Sequence, residues 1–110
     1  MRDINAEIDQ LVKTNPVVLF MKGTPSFPMC GFSARTTEIL KACGITPAQY
    51  KSVNVLEDAD IREGIKVYGK WPTIPQLYVN GQLVGGCDIA MDMYQNGELA
   101  PLVQTAVKAS

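Results

Sequence analysis

Apolar residues change their spacing from segment to segment along this chain, and the spacing predicts the elements. Residues 3–14 set Ile4, Ile8, Leu11 and Val12 on one helical face, and Asn15-Pro16 stops the helix. Val17-Val18-Leu19-Phe20-Met21 follows, an unbroken apolar run that reads as a buried strand. Gly23-Thr24-Pro25-Ser26-Phe27-Pro28 is a turn-rich loop. From about 31 to 43, Phe32, Ile39, Leu40 and Cys43 share a helical stripe, and Gly44 supplies a left-handed cap. Tyr50 to Val55 suits a pleated surface. Glu57-Asp58 opens a third helix with Ile61, Ile65 and Tyr68 inward and Gly69 behind it. Asn80-Gly81, between Gln76-Leu77-Tyr78-Val79 and Gln82-Leu83-Val84, is a strong hairpin signal. Helices over about 89–95 and 98–108 close the chain, parted by Asn96-Gly97.

The predicted order is αβαβαββαα, with no linker, repeat or low-complexity tract. A βαβ half followed by a ββα half builds a four-stranded mixed sheet with helices on both faces. Its 110 residues, 46% of them hydrophobic, suit a single domain over 1–110 with one adequate core. Net charge is −1 and the Lys and Arg residues are scattered, which argues against nucleic acid as a partner. No apolar run reaches the length of a membrane span, so no membrane role is expected. Histidine is absent, which removes His-based triads and Cys/His zinc sites. Asp3, Glu7 and Asp9 near the start are unlike an acid-poor transit peptide or a signal peptide's apolar core. Three cysteines in no regular spacing do not make a secreted disulfide framework. A reducing compartment, with the cytoplasm as default, is the expectation.

The candidate chemistry centres on Cys30-Gly31-Phe32-Ser33. A cysteine between a strand and a helix sits beside unpaired backbone N–H groups and the positive end of the helix dipole. Such surroundings lower a thiol pKa below its free value of about 8.5. Ser33 stands where a second cysteine would allow an internal disulfide, so that route is closed. Cys43 lies on the same predicted helix, roughly 20 Å from Cys30 at 1.5 Å per residue, beyond disulfide reach. It reads as a small buried hydrophobe. Cys87 comes to the same end of the sheet as Cys30, where a pocket-lining role and a disulfide with Cys30 are both open.

Lys22-Gly23-Thr24-Pro25, Pro28, Cys30-Gly31-Phe32-Ser33, Trp71-Pro72-Thr73-Ile74-Pro75-Gln76 and Gly85-Gly86-Cys87-Asp88 together closely resemble the monothiol glutaredoxins of the CGFS class. The resemblance spans about residues 4 to 107 and implies the thioredoxin/glutaredoxin fold. It also implies a glutathione groove beside the active thiol Cys30. Lys22 and Arg62 suit the carboxylates of the tripeptide, and Asp88 suits its ammonium or a helix N-cap. The backbone of Ile74, ahead of a cis bond to Pro75, can pair like an added strand. Amides around Cys87 and Asp88 offer a second anion site. Phe32 is core or pocket wall rather than chemistry.

The resemblance further implies a labile [2Fe-2S] cluster bridging a homodimer, with Cys30 and one glutathione thiolate from each side as ligands. Such a protein carries the cluster to iron–sulfur acceptor apoproteins. The rival reading is a glutathione-dependent oxidoreductase, in which Cys30 attacks protein–glutathione mixed disulfides and a second glutathione regenerates it. A third reading is an adaptor that binds a BolA-like protein.

Overall fold

β1 (Val17–Met21) is the centre of the molecule because every one of its side chains is buried. In the computed structural model, which describes residues 1–109, the sheet order is β2-β1-β3-β4. β2 (Lys51–Asn54) runs parallel to β1, and β3 (Gln76–Val79) runs antiparallel on its other side. β4 (Gln82–Gly85) closes the sheet through a hairpin. Asn80 and Gly81 both take positive φ, 52° and 80°, as its tight turn demands.

Alternation along β1 assigns its two faces to two cores. Val17, Leu19 and Met21 pack with Ile39 and Leu40 of α2 (Gly31–Ala42), Ala90 of α4 (Cys87–Gln95) and Leu99 and Val103 of α5 (Leu99–Ala109). Val18 and Phe20 pack with Ile8 and Val12 of α1 (Ile4–Thr14) and Ile61 and Ile65 of α3 (Ala59–Gly69). A strand covered on both faces needs no polar alternation, which is why its sequence is a continuous apolar run. Each fully buried aliphatic side chain contributes about 1.5–3 kcal/mol.

The helix ends follow their capping residues. Asp3 accepts from the Ala6 N–H at 3.0 Å to start α1, and Asp58 accepts from the Ile61 N–H at 3.1 Å to start α3. Gly44 takes φ +88° after α2, as its position predicts. α3, by contrast, includes Gly69 and turns at Lys70, whose φ is +50°. A side chain at Gly69 would collide with the Tyr78 hydroxyl, so its smallness serves packing rather than the turn. The strand expected over Tyr50–Val55 is shorter, because Val55–Glu57 winds into a 3-10 turn held by Asn54 Oδ1 accepting from the Leu56 N–H.

Of the two places open to Phe32, core or pocket wall, the structure takes the second. Phe32 is 58% exposed and lines the groove beside Cys30, while the buried face of α2 runs through Ser33, Thr36, Ile39 and Leu40.

Candidate functional site

The C-terminal end of β1 leads directly into the loop that presents Cys30. The Met29 N–H donates to the Lys22 carbonyl at 2.9 Å, and Thr24 and Phe27 exchange backbone hydrogen bonds, folding the loop back on itself. Gly23, at φ +91°, makes the turn possible, since a Cβ there would lie 2.6 Å from the Met29 nitrogen. Its own N–H donates to Asn54 Oδ1 at 2.9 Å, tying the loop to the end of β2.

Cys30 is the N-cap of α2, with extended backbone, and its carbonyl already accepts from Ala34 at 2.9 Å. Partial burial works against its thiolate. The backbone N–H groups of Ser33 and Phe32 and the Ser33 hydroxyl, gathered at the start of α2, outweigh that burial together with the charge of Lys22. The thiol is held below its ordinary pKa. Cys43 is the opposite case: it is 1% exposed, and burial pushes its pKa up. All the cysteines are free thiols.

Lys22, Cys30, Arg62, Ile74, Cys87 and Asp88 line one groove of about 460 Å³. Trp71-Pro72-Thr73-Ile74-Pro75 makes one wall, and its Ile74–Pro75 peptide bond is cis. The start of α4 makes the facing end. Gly86 caps α4, so Cys87 and Asp88 stand in its first turn, and Asp88 is not the N-cap the sequence allowed. Gly86 packs closely against this wall: a Cβ there would lie 3.3 Å from the Pro75 carbonyl oxygen and from Trp71 Nε1, tighter than an ordinary contact. Asp88 is exposed and Cys87 is buried.

The structure adds Lys66 to the groove, one turn beyond Arg62 on α3 and paired with Glu63 at 3.0 Å. The spacing of four between Arg62 and Lys66 was the available signal for a shared face. Ser33, read from the sequence only as the replacement of a second cysteine, gains a structural role: it is buried, and its Oγ accepts from the Lys22 N–H at 3.0 Å. The groove therefore sets three cations and one carboxylate around a nucleophilic thiol. That arrangement suits a small ligand carrying more than one carboxylate and a sulfur.

The family model described as Glutaredoxin matches residues 17–84. Monothiol glutaredoxin-5, mitochondrial, of Lachancea kluyveri is 57% identical over 99 residues, covering 90% of this chain and 69% of that protein. The Saccharomyces cerevisiae protein of the same name is 52% identical over 104 residues, covering 94% and 69%. Among solved structures, reduced poplar apo GrxS14 superposes with a TM-score of 0.77 at 46% identity, covering 94% of this chain and 92% of that one. The mitochondrial names of the two yeast relatives overturn the expectation of a cytoplasmic address. That expectation rested on three irregularly spaced cysteines, read as a reducing compartment, and on Asp3, Glu7 and Asp9, read as unlike a targeting segment. Asp3 caps α1, Glu7 pairs with Arg2, and Asp9 accepts from the Tyr68 hydroxyl, so none of them reports a destination.

Proposed function

This chain belongs to the monothiol glutaredoxin family, and we propose that it carries a labile [2Fe-2S] cluster to acceptor proteins. The observation that carries the reading is a thiol of lowered pKa in a groove whose charges complement glutathione. Glutathione brings two carboxylates, one ammonium and one thiol. Lys22 and Arg62 bind the carboxylates, Arg62 by its two-pronged guanidinium. Asp88 takes the ammonium, the Ile74 backbone pairs with the tripeptide, and the N–H groups of Cys87 and Asp88 at the start of α4 receive an anionic end.

The cluster is cargo, and it takes four thiolate ligands. Among the described residues no group of three or more His, Cys, Asp or Glu side chains converges to hold a metal ion. Cys30 and one bound glutathione supply two thiolates, and a second protomer supplies the same. Because half of the ligands are exchangeable small molecules, the cluster can be handed on. The family resemblance adds iron–sulfur acceptor apoproteins and a BolA-like protein as the partners of the loaded form.

The lowered pKa of Cys30 also favours a second activity. The thiolate attacks the glutathione sulfur of a protein mixed disulfide, releasing the protein thiolate and leaving Cys30 bonded to glutathione. A second glutathione thiolate attacks that bond, releasing glutathione disulfide and the Cys30 thiolate. Anaerobic reconstitution with iron, sulfide and glutathione, read by visible absorption and sedimentation, separates the two. A coloured species at twice the protomer mass supports the carrier. A colourless monomer that turns over a glutathionylated substrate supports the enzyme alone.

A further inference from the structure

Gln76 has no exposed surface, an unusual position for an amide side chain, and each of its polar atoms is used. Nε2 donates to the Trp71 carbonyl at 3.0 Å and the Thr73 carbonyl at 3.3 Å. Oε1 accepts from the Tyr78 hydroxyl at 2.9 Å. Carbonyl oxygens only accept, so the NH₂ end must face the loop, which leaves Oε1 for the hydroxyl. Tyr78 is itself 2% exposed, and its ring meets Phe20 edge-on at 5.7 Å. Burial, with the neighbouring Tyr68, pushes its pKa up to about 12, so the hydroxyl remains a donor at physiological pH. Gly69 closes over the pair: a Cβ there would collide with the Tyr78 hydroxyl and lie 2.8 Å from Gln76 Oε1.

The two carbonyls that Gln76 holds belong to the wall of the groove. Residues 71–75 lie in neither helix nor strand, so no regular ladder fixes that wall. The Trp71 N–H reaches back to the Lys66 carbonyl at 3.1 Å, which anchors only its first residue. We propose that Gln76 and Tyr78 form a buried relay that positions the Trp71–Pro75 wall of the groove. Neither residue lines the groove, so both act through the wall and are positioning residues. The effect on glutathione rests on reading the groove as its binding site, whereas the effect on the wall does not.

Trp71 is the only tryptophan of the chain, so its fluorescence reports on this wall directly. The test compares wild type with Tyr78→Phe and Gln76→Leu, at temperatures where circular dichroism shows each to be folded. Tyr78→Phe keeps the ring and removes only the donor, which guards against failure of the bulkier change. Both variants are expected to shift Trp71 emission to the red and at least double its quenching by acrylamide. The dissociation constant for glutathione should rise about two- to tenfold, the loss of one or two neutral hydrogen bonds. The pH profile of Cys30 alkylation should not move. Cys43→Ser, a core variant away from the relay, should keep the native Trp71 signal and separates positioning from general loss of stability. Folded variants with wild-type emission and quenching overturn the proposal. A wild-type protein that fails to bind glutathione refutes the ligand reading instead, and Trp71 still decides the relay.

Discussion

The backbone N–H of Lys22 donates to Ser33 Oγ at 3.0 Å, joining the residue after β1 to the first turn of α2. Ser33 is thus more than the absence of a second cysteine. Its buried hydroxyl fixes the residue that brings a positive charge to Cys30, and its hydroxyl and N–H both favour the thiolate.

Ser33→Ala should therefore raise the Cys30 pKa toward its ordinary value. Alkylation by iodoacetamide, followed from pH 5 to 10, should show its inflection move upward. The variant reacts more slowly at neutral pH and at least as fast as wild type once both thiols are fully ionised, since a thiolate of higher pKa is the better nucleophile. The orphaned Lys22 N–H should also destabilise the fold by about 1–3 kcal/mol. An unmoved inflection would remove Ser33 from the thiolate's support.

Cys30 and Cys43 should separate cleanly under the same substitution. Cys30→Ser should abolish cluster binding and leave the urea midpoint close to wild type, since Cys30 stands at the start of α2 beside the groove and not in the core. Cys43→Ser places a hydroxyl where there is 1% exposure and should cost about 1–3 kcal/mol while sparing the cluster. Iron content and denaturation of both variants check this, and a folded Cys43 variant that holds no iron contradicts it.

Titration calorimetry with glutathione at fixed pH tests the charged ends of the groove. Lys22→Ala and Arg62→Ala should each weaken binding about ten- to hundredfold, the loss of one charge-assisted hydrogen bond of 1.5–3 kcal/mol. Lys66→Ala should lose less, because Glu63 already engages its ammonium at 3.0 Å. Unchanged affinity in both Lys22→Ala and Arg62→Ala would empty the groove of its proposed ligand.

An acid-sensitive clasp joins α1 to α3. Arg2 donates to both carboxylate oxygens of Asp58, at 3.0 and 2.5 Å, and to Glu7 at 2.7 Å. The Arg2 guanidinium, with the Ile61 N–H, holds Asp58 below the ordinary carboxylate range. A depressed folded pKa favours the native state above the unfolded value of about 3.9, and that contribution is lost as pH falls through the folded value. Arg2→Ala should accordingly be modestly less stable than wild type at pH 7, with the gap closing toward pH 2. Salt should narrow the gap at pH 7, since these groups face solvent. A gap in urea stability that is independent of pH would contradict the clasp.

Much of this architecture was legible because single segments carried it. Val17–Met21 is apolar throughout since two helical layers cover it, and Asn80-Gly81 supplies both positive φ angles of its turn. What depended on geometry between segments was less legible. Phe32 has the right spacing for the core stripe, but the buried face of α2 runs through Ser33, Thr36, Ile39 and Leu40, and Phe32 lines the groove instead. Asp88 has the chemistry of an N-cap, yet α4 starts at Cys87 because the bare Gly86 fits against Pro75 and Trp71. The place of Lys66 in the groove and the hydrogen bond between Ser33 and Lys22 were hidden for the same reason: both exist only once separate elements are brought together. The acidic start of the chain was read as unlike a targeting segment, whereas its carboxylates cap and clasp α1.

Native mass spectrometry of the anaerobically reconstituted protein tests the central claim most directly. The expected complex has the mass of two chains, one [2Fe-2S] cluster and two glutathiones, and it is absent when Cys30→Ser is used. A cluster held by a single chain, or a two-chain complex that contains the cluster but no glutathione, would contradict the account.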